Sequence, residues 1–162
     1  MTAQILENVD IFSDLTPQQL EQIFILCKEN VHFQGETIFS EGSPSTEFYV
    51  ILEGEVAIQV NPNLISSHGH HPLGTIAMLY PGQSFGEVAL VDQGLRSASA
   101  VCNSMICKTL TISREDLMGL MERDAQMGFT IMTNLATDLC TKIRLSNLNL
   151  REGMLYIPRG GY

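Results

Sequence analysis

The sequence predicts a mainly β domain with flanking helices: an antiparallel β jelly-roll barrel with one helix before it and a hinge helix plus a long helix after it. Three observations carry that expectation. From Val31 to Ile112, short runs rich in β-branched and aromatic residues are punctuated by Gly35, Gly42, Ser43-Pro44, Gly54, Asn61-Pro62-Asn63 and Pro81-Gly82. On both sides of this block the apolar residues recur at helical spacing. The 162 residues suffice for one domain that buries its own core without disulfides or metal.

Residues 1–29 form the N-terminal helical segment. Thr16 is placed to cap, Pro17 fits a first helical position, and Gln19 completes a capping box. Leu20, Ile23, Phe24 and Cys27 then make one stripe, Leu15 and Leu20 suit a hydrophobic staple, and the helix is expected to end near Lys28. Residues 30–112 are the β unit. The runs 48–52 and 56–60 are joined by Glu53-Gly54-Glu55, where glycine supplies the positive φ of a tight connection, and Val56, Ile58 and Val60 share a face. Further strands are expected at 75–80, 97–102 and 106–112, and strands this short and this closely spaced suggest the barrel.

The tract 64–73 carries His68, His70 and His71, which invite a metal-site reading. Such a site needs three or four converging ligands with a supporting shell, and no carboxylate follows at helix or strand spacing. The tract reads as an exposed polar loop, and no metal is assigned.

Residues 113–150 return to a period of 3.6. Ser113 and Asp116 resemble a capping box, Leu117, Leu120 and Met121 make an apolar face, and Asp124 can start a second helix. In that long helix Phe129, Met132, Leu135, Leu139 and Ile143 recur every three or four residues, which suits packing on the β core or on another copy of the chain. Lys142 and Ser146 interrupt the seam. The tail, 151–162, is expected to be loose or a small extra arm.

A net charge of −9 argues against a surface built for nucleic-acid phosphates. The cysteines Cys27, Cys102, Cys107 and Cys140 form no C-x-x-C pair and read as reduced thiols. No basic leader and no apolar run of about 18 residues is present, so the expectation is a cytoplasmic protein without a membrane segment.

Chemistry concentrates in 85–100, Phe-Gly-Glu-Val-Ala-Leu-Val-Asp-Gln-Gly-Leu-Arg-Ser-Ala-Ser-Ala. Between Lys28 and Lys108 the only lysine or arginine is Arg96, among Glu29, Glu36, Glu41, Glu47, Glu53, Glu55, Glu87 and Asp92. A guanidinium so placed calls for a fixed anion, and Glu87 or a ligand phosphate are the two candidates. Gly86 permits close backbone approach, and Glu87 to Leu90 can open a turn whose N–H groups favour anions.

The order of elements, the glycine-marked early strands (Gly35-Glu36, Glu41-Gly42, and Val-Ile-Leu-Glu-Gly-Glu-Val at 50–56) and the spacing of Gly86-Glu87 to Arg96-Ser97 resemble the cyclic-nucleotide-binding domain of bacterial catabolite activators, kinase regulatory subunits and gated channels. The resemblance runs from about Ile11 to Asn149, and it makes 85–100 a phosphate-binding cassette within one domain. It implies that Arg96 pairs with the cyclic phosphate, and that Ser97 and the N–H groups of Val88 and Ala89 complete the cradle. Glu87 would accept from the ribose 2′-hydroxyl, with Gly86 leaving room for the sugar. A base cap would come from the long helix, where Thr137, Asp138, Thr141, Lys142 and Arg144 are all open. The base is not fixed by Ser97, and family frequency favours cAMP over cGMP.

About a dozen residues follow Asn149, so no helix-turn-helix is expected. The resemblance therefore implies a stand-alone, non-catalytic sensor that relays ligand binding through its C-terminal helices to an unknown protein, as a homodimer through the long helix. Two rivals remain: a cupin-like enzyme with a metal on His68 and His70, and a degenerate scaffold in which Glu87 and Arg96 merely pair with each other.

Overall fold

The computed structural model of the chain describes residues 2–61, 74–92 and 94–155. The histidine tract and residues 156–162 lie outside them. After two 3₁₀ turns, Ala3–Asn8 and Asp10–Phe12, comes α1 (Pro17–Leu26). Its capping box is reciprocal: Thr16 Oγ1 accepts from the Gln19 N–H at 3.3 Å, and Gln19 Oε1 accepts from the Thr16 N–H at 3.0 Å. Cys27 turns extended and the chain enters a strand at once, two residues before the expected boundary.

The strands are β1 (Lys28–Phe33), β2 (Thr37–Phe39), β3 (Glu47–Glu53), β4 (Val56–Val60), β5 (Gly74–Leu79), β6 (Ser84–Phe85), β7 (Ser99–Cys102) and β8 (Ile106–Ser113). They pair antiparallel in two four-stranded sheets, β1-β8-β3-β6 and β2-β7-β4-β5. This is the predicted jelly roll, but no hydrogen-bonded ladder closes it into a continuous barrel among the described residues. Between β3 and β4, Gly54 has φ +85°, and a Cβ there would strike the Ile106 carbonyl and come within 2.5 Å of Ser104 Oγ.

Strand β3 is buried on both faces, and its alternation divides the core in two. Phe48 and Val50 pack with Leu110 and Ile112 of β8 against Phe12, Ile23, Leu117, Met127, Ile131 and Leu135 from the helical layer. Tyr49 and Ile51 point between the sheets, into a cluster with Val56, Phe85, Ala100, Cys102 and Cys107.

Helices α2 (Arg114–Arg123) and α3 (Ala125–Leu155) follow β8. Ser113 Oγ accepts from the Asp116 N–H at 3.4 Å, only half of the expected box. Asp124 starts α3 as expected: its Oδ1 accepts from the Met127 N–H at 3.0 Å, and its Oδ2 accepts from Gln19 Nε2 at 2.9 Å, tying α1 to the hinge. Asn134 repeats that tie, donating to the carbonyls of Ile11 and Ser13 at 3.3 and 2.8 Å. The expected seam of α3 divides. Leu135 is buried, with Met132 and Leu139 half-buried, and Met127 and Ile131 complete the inner stripe, whereas Phe129 and Ile143 are 70% and 60% exposed. The helix continues to Leu155, into the stretch read as tail.

Candidate functional site

The cassette begins where β6 ends. Gly86 adopts a left-handed conformation, φ 73° and ψ 15°, and opens the 3₁₀ turn Glu87–Leu90. Ten residues on, Arg96 is fixed by its own backbone: its N–H donates to the Ser43 carbonyl, and its carbonyl accepts from the Gly42 N–H, both at 2.8 Å. These bonds keep Arg96 and Ser97 out of the strand expected from residue 97, and β7 starts at Ser99.

The Arg96 side chain points inward and only 6% of the residue is exposed. Nη2 donates to the Glu47 carbonyl at 2.7 Å and Nη1 to the Gly86 carbonyl at 3.3 Å. The guanidinium lies over the Phe39 ring, 4.1 Å from its centroid, and Phe39 belongs to an aromatic cluster with Tyr49 and Phe85. Nε is buried without a partner, and no carboxylate forms an ion pair with this arginine among the described residues. Burial pulls the guanidinium pKa below its ordinary value, opposed by Tyr49, Glu47 and Glu87. Arginine stays protonated nonetheless, so a nearly buried cation is left to carbonyls and a ring face. Gly86 makes this arrangement fit, since a Cβ there would sit 2.6 Å from Arg96 Nη1.

Glu87, only 8% exposed, does not pair with Arg96. Its Oε1 accepts from Lys142 Nζ of α3 at 2.8 Å, and the same ammonium binds Asp138 Oδ2 at 2.8 Å. Burial alone would lower the Lys142 pKa, but Glu87 and Asp138 together raise it. Burial and a hydrogen bond to Glu47 push the Tyr49 hydroxyl pKa up.

Gly86, Glu87 and Arg96 are thus brought together, with Ser97 exposed beside the arginine. The Val88 N–H has no protein acceptor among the described residues, but the Ala89 N–H already donates to the Gly86 carbonyl at 3.1 Å, so it closes the turn instead of standing open to an anion. Of the cap candidates, Asp138 and Lys142 face the cassette. Thr137 and Arg144 line a shallow outer groove with Phe129, Met132, Thr133, Ala136 and Cys140. The hydroxyl of Thr141 turns back to the Thr137 carbonyl. Sequence reasoning missed the Glu47 carbonyl and the Phe39 ring. No group of three or more His, Cys, Asp and Glu suited to a metal occurs among the described residues, and none of their helices is long and apolar enough to cross a membrane. His68 and His70 lie outside the described residues.

Two antiparallel sheets thus carry a glycine turn facing a buried arginine, and the long helix reaches that turn through Lys142. Residues 32–124 match the cyclic nucleotide-binding domain, and the chain belongs to that family. It is 31% identical over 140 residues to the cyclic AMP receptor protein of Thermus thermophilus, covering 86% of this chain and 60% of that protein. It is 27% identical over 110 residues to human cGMP-dependent protein kinase 2, covering 68% of this chain and 14% of the kinase. Among solved structures, a cyclic nucleotide-binding domain from Methylobacillus flagellatus superposes with a TM-score of 0.78 at 22% identity, covering 93% of this chain and 81% of that one. The chain therefore spans less than two thirds of the length of each named curated relative.

Proposed function

We propose that this chain is a sensor module that binds cAMP or cGMP at the cassette, performs no catalysis, and signals through α2 and α3 to a protein partner in the cytoplasm. The observation that carries the reading is Arg96: a guanidinium that is nearly buried, has an unpartnered Nε and pairs with no carboxylate among the described residues. A buried cation without a counter-anion is costly, and a phosphate supplies the missing charge and acceptors. Ser97, next in the chain and exposed, and the Val88 N–H, without a protein acceptor among the described residues, are available as further donors.

The rest of the reading is relay. Helix α3 contacts the cassette through Lys142 and the N-terminal turns through Asn134, so displacing it moves both ends. Ligand shifts that equilibrium only by its differential affinity for the two helix positions. Phe129, Ala136 and Ile143, spaced seven apart on the outer face of α3, support a homodimer seam. Calorimetric titration of the folded chain with cAMP and with cGMP is the test. Saturable heat with one or both is expected, and no heat and no thermal shift with either sinks the proposal.

A further inference from the structure

Glu87 is the only cassette carboxylate bound from α3 among the described residues. One of its oxygens, Oε1, takes the Lys142 ammonium at 2.8 Å, while no partner is recorded for Oε2 among the described residues. Lys142 is in turn braced by Asp138, one helical turn earlier on α3, at 2.8 Å. An ammonium has three donors, and two are committed here to carboxylates. The lysine is therefore poorly placed to read a base and well placed to aim an acid.

We propose that Lys142 is the positioning residue for sugar recognition: it fixes the Glu87 carboxylate so that Oε2 meets the ribose 2′-hydroxyl, and it makes occupancy of that oxygen felt on α3. The proposal rests on the cyclic-nucleotide reading above. Its physical basis is the burial of Glu87: without a counter-charge a nearly buried carboxylate turns towards water, and the hydroxyl loses an aligned acceptor. With the counter-charge in place, a nucleotide lacking the hydroxyl leaves Oε2 unsatisfied, and a site built this way rejects it. The lysine side chain, 42% exposed, retains room to shift as the sugar enters.

The experiment titrates the whole chain, its fold checked by thermal melting, with cAMP, cGMP and the 2′-deoxy form of each. Wild type is expected to favour the ribonucleotide over its deoxy analogue by about tenfold or more, the scale of one charge-assisted hydrogen bond. Lys142→Met should bring that ratio to within about threefold while deoxy binding barely changes, and Lys142→Arg should restore it. Lys28→Met, exposed at the start of β1, should leave it at the wild-type value. If Lys142→Met melts early, Lys142→Gln reads the same ratio. A ratio unchanged in folded Lys142→Met or Lys142→Gln overturns the positioning role and leaves the sensor reading intact. Failure of wild type to bind any of the four nucleotides overturns the sensor reading, and this proposal with it.

Discussion

Arg96→Met removes the charge while keeping an unbranched stem that still covers Phe39. Two hydrogen bonds are lost, to the Glu47 and Gly86 carbonyls, each worth about 1.5–3 kcal/mol for a charged donor. Against this, the variant no longer buries a cation without an ion pair, a relief of several kcal/mol. The two effects nearly cancel, so the melting temperature should move by no more than about 4 °C. Ligand binding has no such offset. Losing a forked, charge-assisted contact to phosphate removes about 3 kcal/mol or more, at least a hundredfold in Kd. Calorimetry with the nucleotide that binds wild type, beside melting curves of both proteins, separates the effects. Binding within about threefold of wild type would refute the assignment of Arg96 to the phosphate. A variant that unfolds, together with a wild type indifferent to nucleotide, would mark the cassette as structural.

Gly86→Ala puts a methyl group 2.6 Å from Arg96 Nη1 at φ 73°, so about 1–2 kcal/mol of backbone strain and a displaced guanidinium are expected. The melting point should fall by several degrees and nucleotide affinity should drop, and unchanged affinity would show that the glycine does not seat the arginine. A hydrogen bond from Gln19 and the Met127 N–H hold the Asp124 pKa below 3.8, so its contribution is complete above that value and fades as pH falls through the lower folded one. Wild type should therefore lose melting temperature below about pH 4 more steeply than Asp124→Asn, and parallel curves would contradict the linkage. Phe129→Glu with Ile143→Glu, at sites 70% and 60% exposed, should convert a dimer to a monomer in sedimentation with little change in melting; unaltered sedimentation would exclude this seam.

Much of the scaffold was legible because short-range chemistry fixes it. Thr16, Gln19, Gly54 and Asp124 act on neighbours within a few positions, and each does what its type suggests. The split of α3 was not legible, because its sequence carries two apolar stripes and only the surface made by the Asp10–Phe12 turn and α2 decides which one is buried; Ile131 goes in and Phe129 stays out. The candidate site shows the same boundary. Gly86, Glu87 and Arg96 were found through residue type and spacing, but the Lys142 contact spans 55 positions and the Glu47 carbonyl belongs to the backbone, where side-chain identity is silent. The isolation of Arg96 in an acidic stretch suggested Glu87 or a ligand phosphate as its partner, and the fold assigns that carboxylate to the helix instead.

On the proposed reading, the seat of Arg96 on Phe39 also bears on how an acidic chain would capture an anion. With a net charge of −9, the molecule's long-range field turns phosphate away, so encounter is hindered at low ionic strength. Once past that field, a bound phosphate would meet a guanidinium already stripped of water at folding and little screened by salt. Arrival and retention are thereby governed by different charges. Added salt should shield the repulsion that slows entry and leave the proposed contact to the phosphate largely untouched.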